Sequence, residues 1–268
     1  MEAKMRVTKL LNSTSFPVPK LRGSLSAIKF PAFGEVKYDG EFTFIFYGDG
    51  KIATMNKYNK VRTDFPMLNG IRDNMKCDSA VMLAELFYAD GKRNRLYDLN
   101  SNKESDDLGL SVFDLLECDG VNLQKEPLID RKEKLIEVCR VNIRSKMLMN
   151  KADAHSFFQW TVNEGYEGAV IKSLDSPLVE GPCSWVKMKM KDRSDYTVGL
   201  VDTHKERIVI LVPAILNGRL GEVSVGCKAS LRYKRHIKVG DKVTVEHQGV
   251  LASGKLRHPV LIAKKEWK

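Results

Sequence analysis

The pattern of hydrophobic residues changes near residue 190, and this change constrains the fold more than any other feature of the sequence. Before it, continuous apolar runs alternate with segments of helical periodicity. After it, 196–263 shows about five short strand patterns separated by turn residues, with almost no helical periodicity. The sequence therefore predicts two domains, 1–190 and 191–268. The first is expected to be mixed α+β, and the second a small β-barrel.

The first domain is predicted to contain antiparallel sheets with helices. Phe42, Phe44 and Phe46 alternate with Thr43, Ile45 and Tyr47, which indicates a strand that runs into a tight Gly-Asp-Gly turn. The first 33 residues are predicted to be irregular. The patterns predict further strands at 51–57, 79–89, 108–118, 168–174 and 184–191, and helices at 66–76, 129–141 and 153–165.

Positive charge is concentrated in the second domain. Of the chain's net charge of +10, residues 191–268 carry +8, from 16 Lys/Arg and 8 Asp/Glu. A field of one sign suits a polyanionic partner such as nucleic acid. A basic surface that serves only solubility is the alternative. Arg232, Lys234, Arg235 and Arg257 are the candidate nucleic-acid contacts of this domain.

Several classes of protein are disfavoured by what the sequence lacks. No run of about 18 apolar residues is present, so no membrane-spanning helix is expected. The N-terminal residues show no apolar secretory signal, so we expect an intracellular protein, cytoplasmic or viral. The five cysteines show no CxxC or Cys/His pairing, which disfavours a disulfide framework and a structural zinc site.

The segment Lys37-Tyr38-Asp39-Gly40 is the first candidate for chemistry. It lies between two predicted strands, where a lysine could act as a nucleophile if its amine were uncharged. Gly40 would let the backbone come close to a phosphate or ribose. A hairpin with a solvated lysine is the alternative.

Two glutamates occur in unusually apolar surroundings. Glu85 interrupts the run Val81–Phe87, and Glu167 precedes the run Gly168–Ile171. A carboxylate in a buried strand is costly unless it binds a cation or a hydroxyl. Two such acids would suit a Mg²⁺-assisted nucleotide site, and internal salt bridges are the alternative.

Lys187, Lys189 and Lys191 would share one face of a strand. Their repulsion would be relieved by a bound triphosphate, and their field would favour the uncharged amine of Lys37. A solvent-facing edge strand is the alternative. Phe113 could stack on a purine, although an aromatic residue in such a run is far more often part of the core.

In their order along the chain, these elements resemble the covalent nucleotidyltransferase superfamily of ATP-dependent DNA ligases, RNA ligases and mRNA-capping enzymes. The matching segments are KYDG at 37–40, LAELFY around Glu85, VFDLL with Phe113, EGAVIK at 167–172 and WVKMK at 185–189. The segment 245–266 resembles the end of the OB-fold domain of minimal viral and bacterial DNA ligases.

The resemblance implies a nucleotidyltransferase (adenylation) domain followed by an OB-fold domain, with ATP and Mg²⁺ as cofactors and nicked duplex DNA as partner. Lys37 would attack the α-phosphate of ATP and form lysyl-AMP. The AMP would pass to a 5′-phosphate at a nick, and a 3′-hydroxyl would then displace it. A monomer is expected.

The same resemblance assigns roles to individual residues. Catalysis would fall to Lys37, Asp39, Lys187 and Lys189. The nucleotide would be bound by Glu35, Val36, Lys37, Gly40, Glu85, Phe113, Glu167, Lys172, Lys187 and Lys189, with Glu35 accepting from the adenine amino group. The metal would be bound by Asp39, Glu85 and Glu167. Lys57 and Arg62 join the candidate nucleic-acid contacts.

The sequence departs from the family pattern at two places. Phe42 stands where most DNA ligases have an arginine, and Lys264 and Lys265 replace the usual C-terminal arginines. An RNA ligase, or a capping-type nucleotidyltransferase, therefore stays open as an alternative. A non-catalytic OB-fold nucleic-acid-binding protein is an alternative from a different class.

Overall fold

The computed structural model describes residues 18–63, 66–88, 108–139, 145–179, 182–202, 207–216, 219–229, 236–251 and 253–265. The chain divides into two compact units, Met1–Met188 and Lys189–Lys268. It is sheet-rich and mixed α+β. No helix in the described ranges combines the length and apolarity needed to cross a membrane.

In the described part of the first unit, three helices and a short 3₁₀ turn accompany the strands. The helices are α1 (Pro66–Arg72), α2 (Leu128–Val138) and α3 (Lys151–Asn163), and the 3₁₀ turn is Leu25–Ala27. The strands are β1 (Lys20–Arg22), β2 (Ala32–Lys37), β3 (Glu41–Gly48), β4 (Lys51–Asn56), β5 (Val61–Arg62), β6 (Ser79–Tyr88), β7 (Leu108–Cys118), β8 (Val121–Asn122), β9 (Ser145–Leu148), β10 (Gly168–Ser173) and β11 (Pro182–Lys189).

A six-stranded antiparallel sheet, in the order β5-β4-β3-β6-β7-β8, is buried on both faces. Phe44 and Phe46 of β3 lie in a core that also contains Trp185 of β11. The intervening Ile45 and Tyr47 lie in a second core, which also contains residues of α1 and α2. The predicted alternation along β3 is therefore confirmed, and each face of the strand packs against a different layer.

A five-stranded sheet, in the order β1-β11-β10-β2-β9, forms the next layer of the same unit. Trp185 of β11 lies in the core shared with the six-stranded sheet, whereas Val186 packs with Ala154 and Phe157 of α3 on the opposite face. The chain passes from one sheet to the other through Tyr38–Gly40, between β2 and β3. This short connection immediately follows Lys37.

The predicted helices are confirmed, with boundaries that shift by a few residues. The side chain of Asn150 caps α3 by accepting a hydrogen bond from the Asp153 N–H, and Gly165, with φ of 87°, follows the helix end. The prediction of an irregular first segment is wrong for Lys20–Arg22, which pairs in parallel with β11. A strand of three residues is too short to show the alternation of apolar and polar side chains by which a strand is predicted from sequence.

The second unit is a five-stranded antiparallel sheet around its own core. Its strands are β12 (Asp192–Asp202), β13 (Arg207–Leu216), β14 (Arg219–Cys227), β15 (Lys242–His247) and β16 (Val260–Lys264), in the order β14-β13-β12-β15-β16. Beyond the end of β14, Lys228 forms a parallel bridge with Val260 of β16. The bridge brings the two outer strands of the sheet together.

Candidate active site

Antiparallel pairing of β2 with β10 places Lys37 beside Glu167. Lys37 is the last residue of β2 and lies opposite Gly168, the first residue of β10. The Lys37 Nζ is 2.5 Å from the Glu167 Oε2, and it also lies 3.5 Å from the Tyr38 carbonyl oxygen. The two side chains are 20% and 6% exposed, respectively. The structure thus joins two predicted site residues that are 130 positions apart.

Glu85 approaches the same lysine from the six-stranded sheet. It lies on β6 opposite Phe42 of β3, with its side chain half-buried. Burial is the main influence on its carboxyl group and raises its pKa to about 7. The negative charges of Glu167 and Asp39 also raise this pKa, whereas Lys37 and a hydrogen bond from Gly40 lower it. Two carboxylates, those of Glu85 and Glu167, therefore interact with the Lys37 amine.

Gly40 allows this close approach between the two sheets. A β-carbon at position 40 would lie 2.2 Å from the Leu86 carbonyl oxygen and 2.9 Å from the Glu85 Cγ. Neither contact is sterically possible, so any larger residue would push β6 away from the Lys37 loop. The close contact is made with the backbone of β6, a role that the sequence alone did not indicate.

A buried cluster of three charges lies next along β2. The Glu35 Oε2 is 2.6 Å from the Lys172 Nζ, and the Glu35 Oε1 is 2.5 Å from the Lys132 Nζ. Burial acts to raise the pKa of Glu35, but the two ammonium groups outweigh it, and the pKa lies below the usual value. Burial lowers the pKa of Lys172, and the charge of Glu35 offsets this effect only in part.

Lys132 was not among the predicted site residues. It belongs to α2, where the pattern of apolar residues predicted only a helix with one buried face. Its Nζ also donates to the Phe113 carbonyl oxygen at 3.1 Å. The available signal was its position between Leu128 and Leu135, which places a charged residue toward the core.

Glu35, Lys37, Glu85 and Lys172 line a cleft of about 340 Å³ in the first unit, whereas Asp39 and Glu167 are not part of its lining. Four aromatic residues form part of its wall: Tyr38, Phe42, Phe113 and Trp185. The Lys172 Nζ lies 4.2 Å from the ring centre of Phe113 and 4.1 Å from that of Trp185. The buried indole N–H of Trp185 has no hydrogen-bond partner among the described residues. The lining includes Glu35, Val36, Lys37, Gly40, Lys57, Glu85 and Lys172.

The cleft has the chemistry of a nucleotide site. A mostly apolar wall with a few polar groups suits a flat aromatic base, and its size is within the usual range for small-molecule sites. Lys37 can face phosphate oxygens, and carboxylate oxygens suit Mg²⁺. The side chain of Lys172 is 3% exposed and paired with Glu35, which leaves little of it for a phosphate. Asp39, Glu85 and Glu167 do not converge to within 4.8 Å in the described structure. Mg²⁺ does not need such convergence, since it usually binds one or two carboxylates with water and phosphate.

Other predicted residues lie outside this cleft. Lys187, on β11, is exposed, and neither it nor Lys189 lines the cavity. Lys191 pairs with Glu246 of the second unit at 2.6 Å. Arg62 is 2.5 Å from Glu41, with 8% of its side chain exposed, which leaves little surface for a DNA phosphate.

The remaining candidates belong to the second unit. Arg257 is half-buried, and its backbone pairs with Gln248 and Gly249. Arg232, Lys234 and Arg235 lie outside the described residues.

A second grouping of potential ligands lies at the other end of β6 and β7. The thiols of Cys77 and Cys118 and the carboxylate of Asp119 lie within 4.8 Å of one another. Burial raises the pKa of Cys77 to about 12, so this thiol keeps its proton at neutral pH. The sequence gave no sign of this proximity, because the two cysteines are 41 residues apart.

The sequence was then compared with known proteins. The family described as "ATP dependent DNA ligase domain" matches residues 17–189. The DNA ligase of Pyrobaculum islandicum is 29% identical over 212 residues, which cover 72% of this chain and 35% of that ligase. The DNA ligase of Pyrobaculum calidifontis is 27% identical over 228 residues, covering 78% and 37%. The chain thus spans about a third of the length of these relatives.

Solved structures show the same fold at lower sequence identity. A structure of Lig E DNA ligases, described as DNA binding with a minimal scaffold, has a TM-score of 0.69 at 16% identity, covering 94% of this chain and 99% of that one. The ligase domain of LigD from M. tuberculosis has a TM-score of 0.58 at 18% identity, covering 93% and 94%. At these identities the likeness concerns the fold.

Proposed function

Because this chain belongs to the ATP-dependent DNA ligase family, we propose that it seals nicks in duplex DNA with ATP as its energy source. The observation that carries the proposal is the position of Lys37. It is half-buried at the edge of an aromatic-lined cleft and is 2.5 Å from the Glu167 carboxylate. A lysine on an ordinary hairpin would be solvated instead.

Three steps follow from this placement. Glu167 accepts a proton from the Lys37 ammonium group, and the Nζ lone pair forms a bond to the α-phosphorus of ATP as the bond to pyrophosphate breaks. A 5′-phosphate oxygen at the nick then takes the AMP and releases the lysine. The 3′-hydroxyl attacks that 5′-phosphate, and AMP leaves as the phosphodiester forms.

The chain's own residues bind and orient the nucleotide in this proposal. The base stacks against Phe113, next to Phe42 and Trp185, and the Glu35–Lys172 pair lies at the inner end of the cleft. Mg²⁺ bound through Glu85 and Glu167, with Asp39 nearby, would neutralise charge on the phosphate oxygens. Lys187 and Lys189, at the end of β11, keep their proposed phosphate-binding role for the later steps, and the side chain of Lys187 is exposed.

The test is label transfer followed by nick joining. With ATP labelled at the α-phosphate, we expect a covalent adduct on the full chain, and no comparable adduct from GTP or NAD. We expect the same protein to join an all-DNA nick, and RNA on either side of the nick gives its strand preference. Binding of nicked DNA without any adduct would instead favour the non-catalytic alternative.

We propose further that the second unit is an OB-fold that grips the DNA backbone. A five-stranded sheet with its outer strands joined by the Lys228–Val260 bridge supports a barrel of this kind. The excess positive charge of 191–268 supports contact with phosphates. The domain division 1–190 and 191–268 belongs to the same proposal.

Replacing three exposed lysines of the second unit, Lys228, Lys238 and Lys255, with alanine should weaken binding to nicked duplex DNA. Each lost phosphate contact should reduce the slope of log affinity against log salt by about 0.9. Replacing exposed Lys51, Lys76 and Lys125 of the first unit is the charge-matched control. Equal salt slopes in the two triple variants would contradict the proposed grip.

A further inference from the structure

Each of the three groups around the proposed reaction centre has an aromatic neighbour in the sequence. Tyr38 follows Lys37, Tyr166 precedes Glu167, and Phe87 lies two residues beyond Glu85. These three aromatic residues come from three separate segments of the chain. Their spacing from the reactive groups gives no reason, on its own, to expect them to touch.

In the structure, the three rings meet. The ring of Tyr38 stacks on that of Phe87, with centroids 3.9 Å apart and planes 18° from parallel. The ring of Tyr166 meets Tyr38 edge to face, with centroids 5.7 Å apart at 80°. Both are favourable arrangements for aromatic pairs. Tyr38 is thus the centre of a cluster that we call the aromatic clamp: Tyr38, Phe87 and Tyr166.

The clamp is held from both sides. Phe87 packs over Gly109 of β7, where a β-carbon would lie 2.8 Å from the ring. Tyr166 contacts Trp160 of α3, with ring centres 6.3 Å apart, and Trp160 in turn stacks on Phe157 at 5.5 Å. The contacts therefore run from the six-stranded sheet through the Lys37 loop to the helix behind the five-stranded sheet.

This arrangement addresses a geometric problem. Lys37 is the last residue of β2 in the five-stranded sheet, and Glu167 immediately precedes β10 of the same sheet. Glu85 belongs to the six-stranded sheet. Around Lys37 the chain crosses between the sheets through Tyr38–Gly40, so a small shift of one sheet against the other would move Glu85 away from the Lys37 amine. Side chains that interlock beside all three groups oppose such a shift.

We propose that Tyr38, Phe87 and Tyr166 are positioning residues that hold Lys37, Glu85 and Glu167 in register for adenylyl transfer. The inference rests on the proposed ligase function. Phe87 and Tyr166 do not line the nucleotide cleft, so they act through the residues beside them. Tyr38 does line it, so its variants also report on nucleotide contact.

The test compares single-turnover adenylylation of full-length variants over a range of ATP concentrations. We expect Tyr166→Leu and Phe87→Leu to lower the maximal rate by about 10- to 100-fold, while the ATP concentration at half-maximal rate changes less than threefold. Tyr166→Phe keeps the ring and should retain nearly the full rate. Phe158→Leu, in α3 but outside the clamp, is the matched control.

The outcomes separate the two hypotheses. If wild-type protein forms no adduct, the ligase proposal fails. If wild type is labelled and both leucine variants match Phe158→Leu in rate, the clamp proposal fails and the ligase proposal stands. A loss in Tyr166→Phe as large as that in Tyr166→Leu would assign the effect to the hydroxyl and overturn the clamp. If Phe87→Leu does not fold, Tyr166→Leu decides, since its ring is half-buried.

Discussion

Lys37→Ala is expected to eliminate the covalent adduct with α-labelled ATP, a loss of at least about 10³-fold in adenylylation rate. The reason is chemical, because alanine has no atom that can form the phosphorus–nitrogen bond. The substitution also removes one partner of the Lys37–Glu167 pair, whose atoms are 2.5 Å apart. Intact mass measurement after exposure to ATP and Mg²⁺, followed by peptide mapping, provides the readout.

Two further variants distinguish nucleophile from charge. Lys37→Arg keeps a cation near Glu167 but supplies a guanidinium group, which is a very poor nucleophile at neutral pH. It should therefore also form no adduct while its melting temperature stays close to that of wild type. Lys51→Ala removes an exposed lysine at the start of β4 and should label normally. Normal labelling of Lys37→Ala would place the nucleophile elsewhere.

Sealing of a nick that already carries the 5′-adenylate gives a second readout for the same variant. This last step needs no lysyl-AMP, so Lys37→Ala should retain far more of it than of the overall reaction. Loss of both activities together, with unchanged DNA binding, would show that Lys37 has a role beyond the first step.

Much of the sheet structure could be predicted, because its signals are local. The alternation along β3 marks two buried faces, and the continuous apolar run of β6 marks a strand covered on both sides. The residues of the Lys37 site were predicted from motif resemblance. Their proximity was not, since antiparallel pairing of β2 with β10 is a long-range property.

The ionic cluster around Glu35 shows what local patterns miss. Lys132 belongs to a helix, and its burial depends on how α2 packs against β7, which the sequence does not reveal. The position of Phe42 was known, but not its surroundings. Its ring lies 6.3 Å from that of Phe113 in the cleft wall, so an apolar contact occupies a site where the family usually has an arginine.

Glu85→Gln is expected to stabilise the protein at alkaline pH, although it should impair adenylylation. The pKa of Glu85 is raised from 4.5 to about 7, mainly by burial. Between these pH values the folded protein retains a proton that the unfolded chain has lost, so stability falls as pH rises. Above pH 7 the full penalty applies, roughly 3 kcal/mol from a shift of this size.

Glutamine has nearly the same shape and cannot ionise, so it removes that penalty. At pH 8 the free energy of unfolding of Glu85→Gln should exceed that of wild type by up to roughly 3 kcal/mol, and near pH 4.5 the two should converge. Denaturant unfolding at several pH values measures the difference. The adenylylation rate should fall, since the amide supplies no negative charge for Mg²⁺.

Glu35→Gln provides the opposite case from the same cleft. Burial alone would raise the pKa of Glu35, but the positive charges of Lys132 and Lys172 lower it by a larger amount. The carboxyl group is therefore ionised in the folded protein. Glutamine here would leave two buried ammonium groups without a counter-charge and should destabilise by about 3–5 kcal/mol. If Glu85→Gln were no more stable than wild type at pH 8, the proposed cost of burying the ionised Glu85 would be refuted. If Glu85→Gln stabilises the protein and Glu35→Gln destabilises it, the ionised Glu85 side chain lowers the stability of the folded protein. Such a cost is expected of a carboxylate whose role is to bind a cation.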